Sequence, residues 1–485
     1  MVETSTERRV TTTRPDVVDD EEDEEEEDEV PETLVVIGGD AGGMSAAAQV
    51  RRMRPIEDLE IVVFERGAYT SYAACGLPYL VSGEVSAPDD LVARTPEKFR
   101  ASGIDVRTGH EVLSIDTDER TVDVRSAADG SRSTQHYDEL VVATGAVAVR
   151  PPLPGIDATG VFDLRTIPDG TALDAAVDAA SAGDGTAVVV GAGYIGLEVA
   201  EAFVARGLSV TVVEAASQPM FTLDGDMAAL VTEALGRLGV ELRLDTPVRG
   251  FDTDDTGALN AVVTDDASIP TTVAVVGLGA RPNTVLAQAA GIPVGETGGI
   301  LVDRQMRTQV PHVWAAGDCV ESHHRVSGRG VHVGLGTHAN KQGRTAGTNL
   351  GGGDATFDGV LGTAITRVGD VEIARTGLNE REAPDAGFDH VTATITAAVR
   401  AHYFPGASPV TVKVVAERGS HRLLGAQIVG GEGAGKRIDV FATALWNEMT
   451  VDDVAGMDLA YAPPFAPVWD PVLIAASRAA VALRS

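Results

Sequence analysis

The sequence is poor in lysine, in cysteine and in long apolar runs, and each shortage removes a class of function. Only four lysines occur among 485 residues (Lys98, Lys341, Lys413 and Lys436), so 34 of the 38 basic side chains are arginines. No basic stripe is present to neutralise phosphates, which argues against nucleic acid as a partner. The two cysteines, Cys75 and Cys319, are too few for a disulfide scaffold or a thiolate zinc site, so their role is redox chemistry or none. No stretch approaches the ~18 unbroken apolar residues of a membrane helix, and the N-terminus lacks the apolar core of a secretory signal. A cytoplasmic protein without membrane contact is expected.

Acidic side chains are abundant instead, and the net charge is −34. Residues 1–32 hold 15 acids and 3 bases, including the unbroken run from Asp19 to Glu29, which leaves 57 acids against 35 bases and a net charge of −22 elsewhere. Such a run repels itself, so 1–32 reads as a disordered acidic tail. An acid-rich body with scarce lysine points to a salt-rich cytoplasm, where a Debye length of ~3 Å at ~1 M salt screens the self-repulsion. With 44% hydrophobic residues the remainder can bury several cores, which implies more than one domain.

Two segments share one grammar. Leu34 to Ile37 and Ala187 to Val190 are short apolar runs that end in glycines, the pattern of a buried parallel strand entering a phosphate-binding turn. In the second, Gly191-Ala192-Gly193-Tyr194-Ile195-Gly196 is followed by Glu214, 23 residues after Gly191, at the end of the next strand. Gly191 permits the tight turn, Gly193 lets backbone approach a pyrophosphate, and Gly196 lets helix pack on strand. Glu214 suits ribose hydroxyls and repels a 2′-phosphate, and Ala215 to Gln218 offer no arginine, so NADH is favoured over NADPH. The first turn, Gly38-Gly39-Asp40-Ala41-Gly42-Gly43 with Glu65 closing the next strand, carries Asp40 where the second glycine belongs. A carboxylate ~4 Å from a diphosphate costs ~1 kcal/mol in water and more in a dry site, so the Asp40 side chain is expected to turn away, with Gly42 giving the backbone close approach. Two such units imply an α/β fold with two Rossmann-like dinucleotide-binding domains. A third segment from about Phe357 has β alternation at Val391 to Thr396 and Val410 to Val415, then helices, and no phosphate loop.

Three further motifs follow in order: Tyr137 to Ala146 (YDELVVATGA), Gly277 to Asn283 (GLGARPN) and Ala315 to Cys319 (AAGDC). With the two turns they resemble the flavoprotein disulfide reductases built on two dinucleotide folds, across nearly everything after the tail. The motif Ser71 to Tyr79 (SYAACGLPY) is similar to the single-cysteine motif of the coenzyme A-disulfide reductase subfamily, related to NADH oxidases and peroxidases. Thr70 and Leu80 flank Cys75 at five residues, so the C-x4-C chemistry of two-cysteine reductases is excluded. Cys75 must pair with a thiol brought to it, or pass through a sulfenic acid.

The resemblance implies FAD held by Gly38, Gly42, Gly43, Glu65, Thr144, Gly145 and Asp318, and NADH by Gly191, Gly193, Gly196, Glu214 and Gly279. It places Glu198 near the nicotinamide–flavin contact and puts Ser45, Gln49, Arg52 and Ser71 where the subfamily binds coenzyme A. The segment Gln49 to Arg52 reads equally well as an exposed helix face. Lys436 to Asp439 and Tyr461 to Phe465 resemble the dimerisation domain, whose tyrosine approaches the cysteine of the partner. That role falls to Tyr461, and to Tyr403, where Phe404 replaces the second tyrosine of the usual pair. The implied domains are 33–150 and 283–352 for FAD, 151–282 for NAD(P)H and 353–485 for dimerisation.

The expected activity is electron transfer from NADH through flavin and Cys75 to a small disulfide, coenzyme A disulfide first. This requires a Cys75 thiolate, with its pKa lowered from ~8.5 by flavin and a helix N-terminus. The rivals are an NADH oxidase or peroxidase and, from another class, a flavin-bound interaction protein whose tail recruits partners. The absence of a rhodanese-type extension weighs against a fused persulfide reductase. Cys319 is expected to pack in the core. No metal is expected, since His323 and His324 are adjacent and cannot easily converge on one ion, and they read as loop surface.

Overall fold

The computed structural model describes Met1 and residues 31–183 and 185–484; the acidic tail lies outside the described residues. Two parallel sheets and one antiparallel sheet carry the structure. The first parallel sheet has the order Val313–Ala315, Glu139–Val142, Glu32–Ile37, Leu59–Glu65, Asp105–Thr108. The second runs Glu241–Arg243, Ser209–Val213, Thr186–Val190, Val273–Val276, Val161–Phe162. Their central strands are continuous apolar runs because helices or loops cover both faces, and Val35, Val36, Val189 and Val212 have no exposed surface.

The second sheet is an insertion into the first unit. The chain leaves at Ala146–Ala148 and returns at Ala280–Pro282, and these two strands pair antiparallel. Val313–Ala315 then completes the first sheet beside Glu139–Val142. Helix Gly336–Leu350 lies along helix Ala41–Met53 at a separation only glycine permits: a Cβ at Gly343 would meet the Gly42 carbonyl oxygen at 2.1 Å, and one at Gly347 the Ala46 oxygen at 2.5 Å.

The antiparallel sheet has the order Ala364–Val368, Val371–Gly377, Leu423–Gly430, Pro409–Glu417, His390–Ala398. The alternating segments at Val391 and Val410 form its last two strands. Helices Ile438–Trp446 and Pro471–Leu483 cover it through a core that includes Phe441, Leu445, Val472 and Ala476. Among the described residues, no helix is long and apolar enough to cross a membrane.

The tightest requirement in the parallel units is the third glycine of each turn. A Cβ at Gly43 would lie 2.0 Å from the Gly38 oxygen, and one at Gly196 2.0 Å from the Gly191 oxygen. Gly196→Ala is therefore expected to destabilise the protein by ~2 kcal/mol or more, read as a lower urea midpoint, while a surface change such as Gly236→Ala, which meets nothing within 4 Å, leaves the midpoint near wild type.

Candidate active site

The two glycine turns are built alike. Gly38 and Gly191 have φ of +111° and +101°, in the region glycine favours, and a Cβ would strike the Ala143 or Gly277 oxygen at 2.2 or 2.6 Å. The acid that ends the next strand then reaches back to the turn. Glu65 accepts hydrogen bonds from the Gly39 and Gly67 N–H groups at 2.7 and 2.6 Å, and Glu214 accepts from Ala192 and Ala216 at 2.8 Å each. Each turn hands over to a helix at its N-cap, Asp40 in the first and Gly193 in the second. Nothing lies within 4 Å of a Cβ at Gly193, which leaves the open space a pyrophosphate needs. Gly42 instead faces protein, since its Cβ would meet the Ala316 oxygen at 2.9 Å.

Asp40 has a partner. Its Oδ1 accepts the Tyr72 N–H at 3.2 Å, and beside it the Ser71 N–H donates to the Gly39 oxygen at 3.1 Å. These two bonds fasten the cysteine loop to the first turn. On its other side the loop pairs with 91–93 through Ala73 N–H to Leu91 O and Ala93 N–H to Ser71 O, at 2.8 and 2.9 Å. Ser71 is held with φ of +46° by this double attachment. Cys75 follows in the short turn Ala74–Gly76, immediately before helix Leu77–Ser82, and is exposed.

The charges around Cys75 correct one expectation. Its thiol is pushed above the usual range, first by desolvation, then by Glu198 and Asp318, with Arg165 opposing. The expected lowering drew on the helix N-terminus and the flavin; the chain's own groups supply two acids against one arginine. Glu198 accepts the Thr366 hydroxyl at 2.8 Å, and burial raises its carboxyl. Asp318 is raised by burial too, with Arg165 Nη2 at 3.7 Å. Asp40 is pushed up to about 6 by burial, against the Tyr72 N–H. A flavin site here has a firm cradle: the first glycine turn, a recessed acid in Asp318, and Thr144 and Gly145 locked to Asn283 by Thr144 Oγ1–Asn283 O at 2.6 Å and Asn283 N–Gly145 O at 2.9 Å. Gly279 has φ of +90° beside open space, and its oxygen accepts the Val149 N–H.

Ser45, Gln49 and Arg52 share helix Ala41–Met53. Ser45 donates to Asn340 at 2.7 Å, and exposed Arg52 donates to Gln49 at 3.0 Å. Ser71 sits beside Cys75, whereas Tyr403 and Tyr461 are 66% and 49% exposed on the antiparallel-sheet domain. The Tyr461 phenol is raised by slight desolvation and by its bond with Tyr403, so the two phenols are neighbours. Cys319 is buried against the Val142 and Ala316 oxygens, with its thiol pushed up to about 11 by burial. The histidine pair is split: His323 is exposed, but His324 is 5% exposed and accepts the Ser327 N–H at 3.2 Å, so only half of it is surface. Its neighbour Ser322 is also buried, which draws the pair inward. Sequence reasoning missed Arg165 and Thr366, which stand in no motif and meet the site only through tertiary contact, and gave no role to Tyr72, which lies inside the cysteine motif.

Two titrations probe these charges. In flavin-free protein Cys75 is expected to react with iodoacetamide more slowly at neutral pH than a free cysteine, and Glu198→Gln to speed it by removing a negative neighbour; equal rates would contradict the charge balance. Asp40 has a folded pKa above its unfolded value, so its stabilising contribution is present below about pH 4 and is lost as pH rises through about 6. Urea midpoints of flavin-free Asp40→Asn are expected to lack that component of the decline between pH 4 and 7.

Comparison with known proteins agrees with this geometry. The family model described as pyridine nucleotide-disulphide oxidoreductase matches residues 32–343, and that of its dimerisation domain matches 363–471. The chain is 39% identical over 438 residues to an NAD(P)H coenzyme A polysulfide/persulfide reductase of Pyrococcus horikoshii, covering 90% of this chain and 96% of the relative. It is 31% identical over 427 residues to the coenzyme A disulfide reductase of Staphylococcus aureus, covering 88% and 94%. The solved NAD-dependent persulfide reductase of A. fulgidus superposes with a TM-score of 0.87 at 40% identity, over 93% of this chain and 83% of that one. The two family models together span both parallel units and most of the C-terminal domain: the chain belongs to the pyridine nucleotide-disulphide oxidoreductases.

Proposed function

We propose that this chain is an FAD-dependent homodimer that uses NADH to reduce coenzyme A disulfide, with Cys75 carrying the sulfur chemistry. The observation that carries the reading is Cys75 itself: exposed, strapped to the first nucleotide turn, and without a cysteine partner, since Cys319 is buried. A lone accessible thiol suits an incoming disulfide. The Cys75 thiolate attacks one sulfur of the substrate; that S–S bond breaks, a mixed disulfide forms, and the first thiolate leaves and takes a proton. FAD, when bound, relays the two electrons of NADH to sulfur. Cleavage of the mixed disulfide then frees the second thiol and restores Cys75, so one NADH and one proton consume one disulfide and give NAD+ and two thiols.

The remaining residues have supporting roles in this reading. Gly38, Gly42, Gly43, Glu65, Thr144, Gly145 and Asp318 hold FAD; Gly191, Gly193, Gly196, Glu214 and Gly279 hold NADH; Glu198 stands between. Arg52 is a fork for a phosphate of coenzyme A, with Ser45, Gln49 and Ser71 nearer the thiol arm. Tyr403 and Tyr461, exposed and adjacent, serve the cysteine of a second copy and hold or pass its proton. A persulfide of coenzyme A is the second reading, supported by the 39% identity to the P. horikoshii protein. It presents the same sulfur–sulfur bond to Cys75.

An anaerobic assay in ~1 M salt tests the proposal. NADH oxidation is expected to depend on coenzyme A disulfide and to fall to background in Cys75→Ser, while NADH still bleaches the flavin. Turnover that survives in Cys75→Ser would sink the mechanism. Rapid oxygen consumption in air without disulfide turnover would instead favour an NADH oxidase, and a marked preference for the persulfide would favour the second reading.

A further inference from the structure

The antiparallel-sheet domain holds one wall of the second nucleotide unit. The loop from Glu214 to Asp224 leaves the C-terminal end of strand Ser209–Val213, the edge at which such sheets bind their ligand. It begins with the Glu214 carboxylate bound to the glycine turn and touches that turn again where the Met220 N–H donates to the Ala192 oxygen at 2.9 Å. Met220 is 1% exposed with φ of +49°, a conformation that an unbranched but bulky residue keeps only when its surroundings impose it.

What imposes it comes from beyond residue 374. Arg381 donates to the Phe221 oxygen at 3.0 Å and stacks over the Phe221 ring at 3.6 Å. Arg375 and Asn379 donate to the Thr222 oxygen at 2.8 and 3.2 Å. Gln427 accepts the Asp224 N–H at 2.8 Å and donates to its carboxylate at 2.6 Å. At the centre is Lys413, 3% exposed, whose ammonium lies 3.3 Å from Asp224, 2.8 Å from Asp226 and 2.8 Å from Glu380. Among the described residues these three carboxylates form the group close enough to hold a metal ion, and the three N–H donors of Lys413 already serve it.

We propose that Lys413 is a positioning residue for the pyridine nucleotide: by neutralising this cluster it holds the 214–224 loop against the second glycine turn and so sets the affinity for NADH. The inference rests on the second unit being the NADH site and is independent of which disulfide is reduced. Without the ammonium, three carboxylates face one another in a partly dry setting, and their repulsion works against the 3.0 Å bond from the Glu380 N–H to Asp224 that ties the loop end to the antiparallel-sheet domain. The nucleotide then meets an unformed wall, whereas the bonds that fasten the Cys75 loop lie elsewhere.

Calorimetric titration of the oxidised, flavin-loaded enzyme with NAD+ tests this without any disulfide. Lys413→Met is expected to weaken NAD+ about tenfold and to raise amide exchange across 218–224. Adding Asp226→Asn and Glu380→Gln removes the charge imbalance and is expected to recover most of the affinity. A folded Lys413→Met with a lowered Tm and wild-type NAD+ affinity would overturn the proposal, because the network would then serve stability alone. Should Lys413→Met not fold, the exposed Arg381→Ala decides: about threefold weaker NAD+ binding supports the clamp, and unchanged affinity overturns it. Failure of coenzyme A disulfide as substrate would leave all of these readings intact.

Discussion

Both nucleotide units depend on one interaction, the carboxylate at the end of the second strand reaching back to N–H groups of the glycine turn. Glu65 and Glu214 each accept one N–H of the turn, from Gly39 at 2.7 Å and Ala192 at 2.8 Å, and one from two residues beyond the acid, Gly67 and Ala216. A tight turn with positive φ at its first glycine has few other partners for those donors, and an unsatisfied buried N–H costs ~1–3 kcal/mol. The same acids therefore preshape the turn and remain placed for a ribose. Their position fixes how closely helix follows strand, and from that follows the absolute demand for glycine at Gly43 and Gly196.

The insertion of one unit into the other turns these repeats into a relay. Because the chain leaves at Ala146–Ala148 and returns at Ala280–Pro282, the two crossing strands pin the units at a double connection. Helix Leu77–Ser82, which follows the turn that holds Cys75, is packed through Leu77, Leu80 and Val81 into the core that also contains Leu197, Val199 and Val212 of the second unit. Arg206 of the second unit donates to the Val81 oxygen at 2.6 Å. The Cys75 segment thus belongs to the first unit in sequence and to the second in packing.

What could be read in the sequence was what is local. The glycine turns, their acids and the Cys75 motif each place the whole of their chemistry within about ten residues of a strand end, so strand, spacing and residue type suffice. The insertion was not local: it entered only as what the family resemblance implies. Lys413 was not legible: in a strand reading VTVKVV it is one polar residue among valines, and its three acids lie 33 to 189 residues away. Arg165 and Thr366 meet the site only after three sheets have packed. His324 failed for the opposite reason, since a polar pair in a loop reads as surface until Gly359 and Gly362 are found against it.

The Asp40 substitution and the raised Cys75 thiol belong to one argument. At the N-cap where the second unit keeps glycine, the first places a side chain that accepts a hydrogen bond from the cysteine loop. The gain is a cysteine loop fastened to the turn; the cost is a buried carboxyl whose pKa is pushed up to about 6. A thiol held above its usual range carries little thiolate at neutral pH, and thiolate is the form that peroxide oxidises. In the flavin-free chain Cys75 is therefore a quiet thiol. Its nucleophilicity then has to be raised by groups that join the site for turnover, and the chain's own contribution is to hold Cys75 where they can reach it.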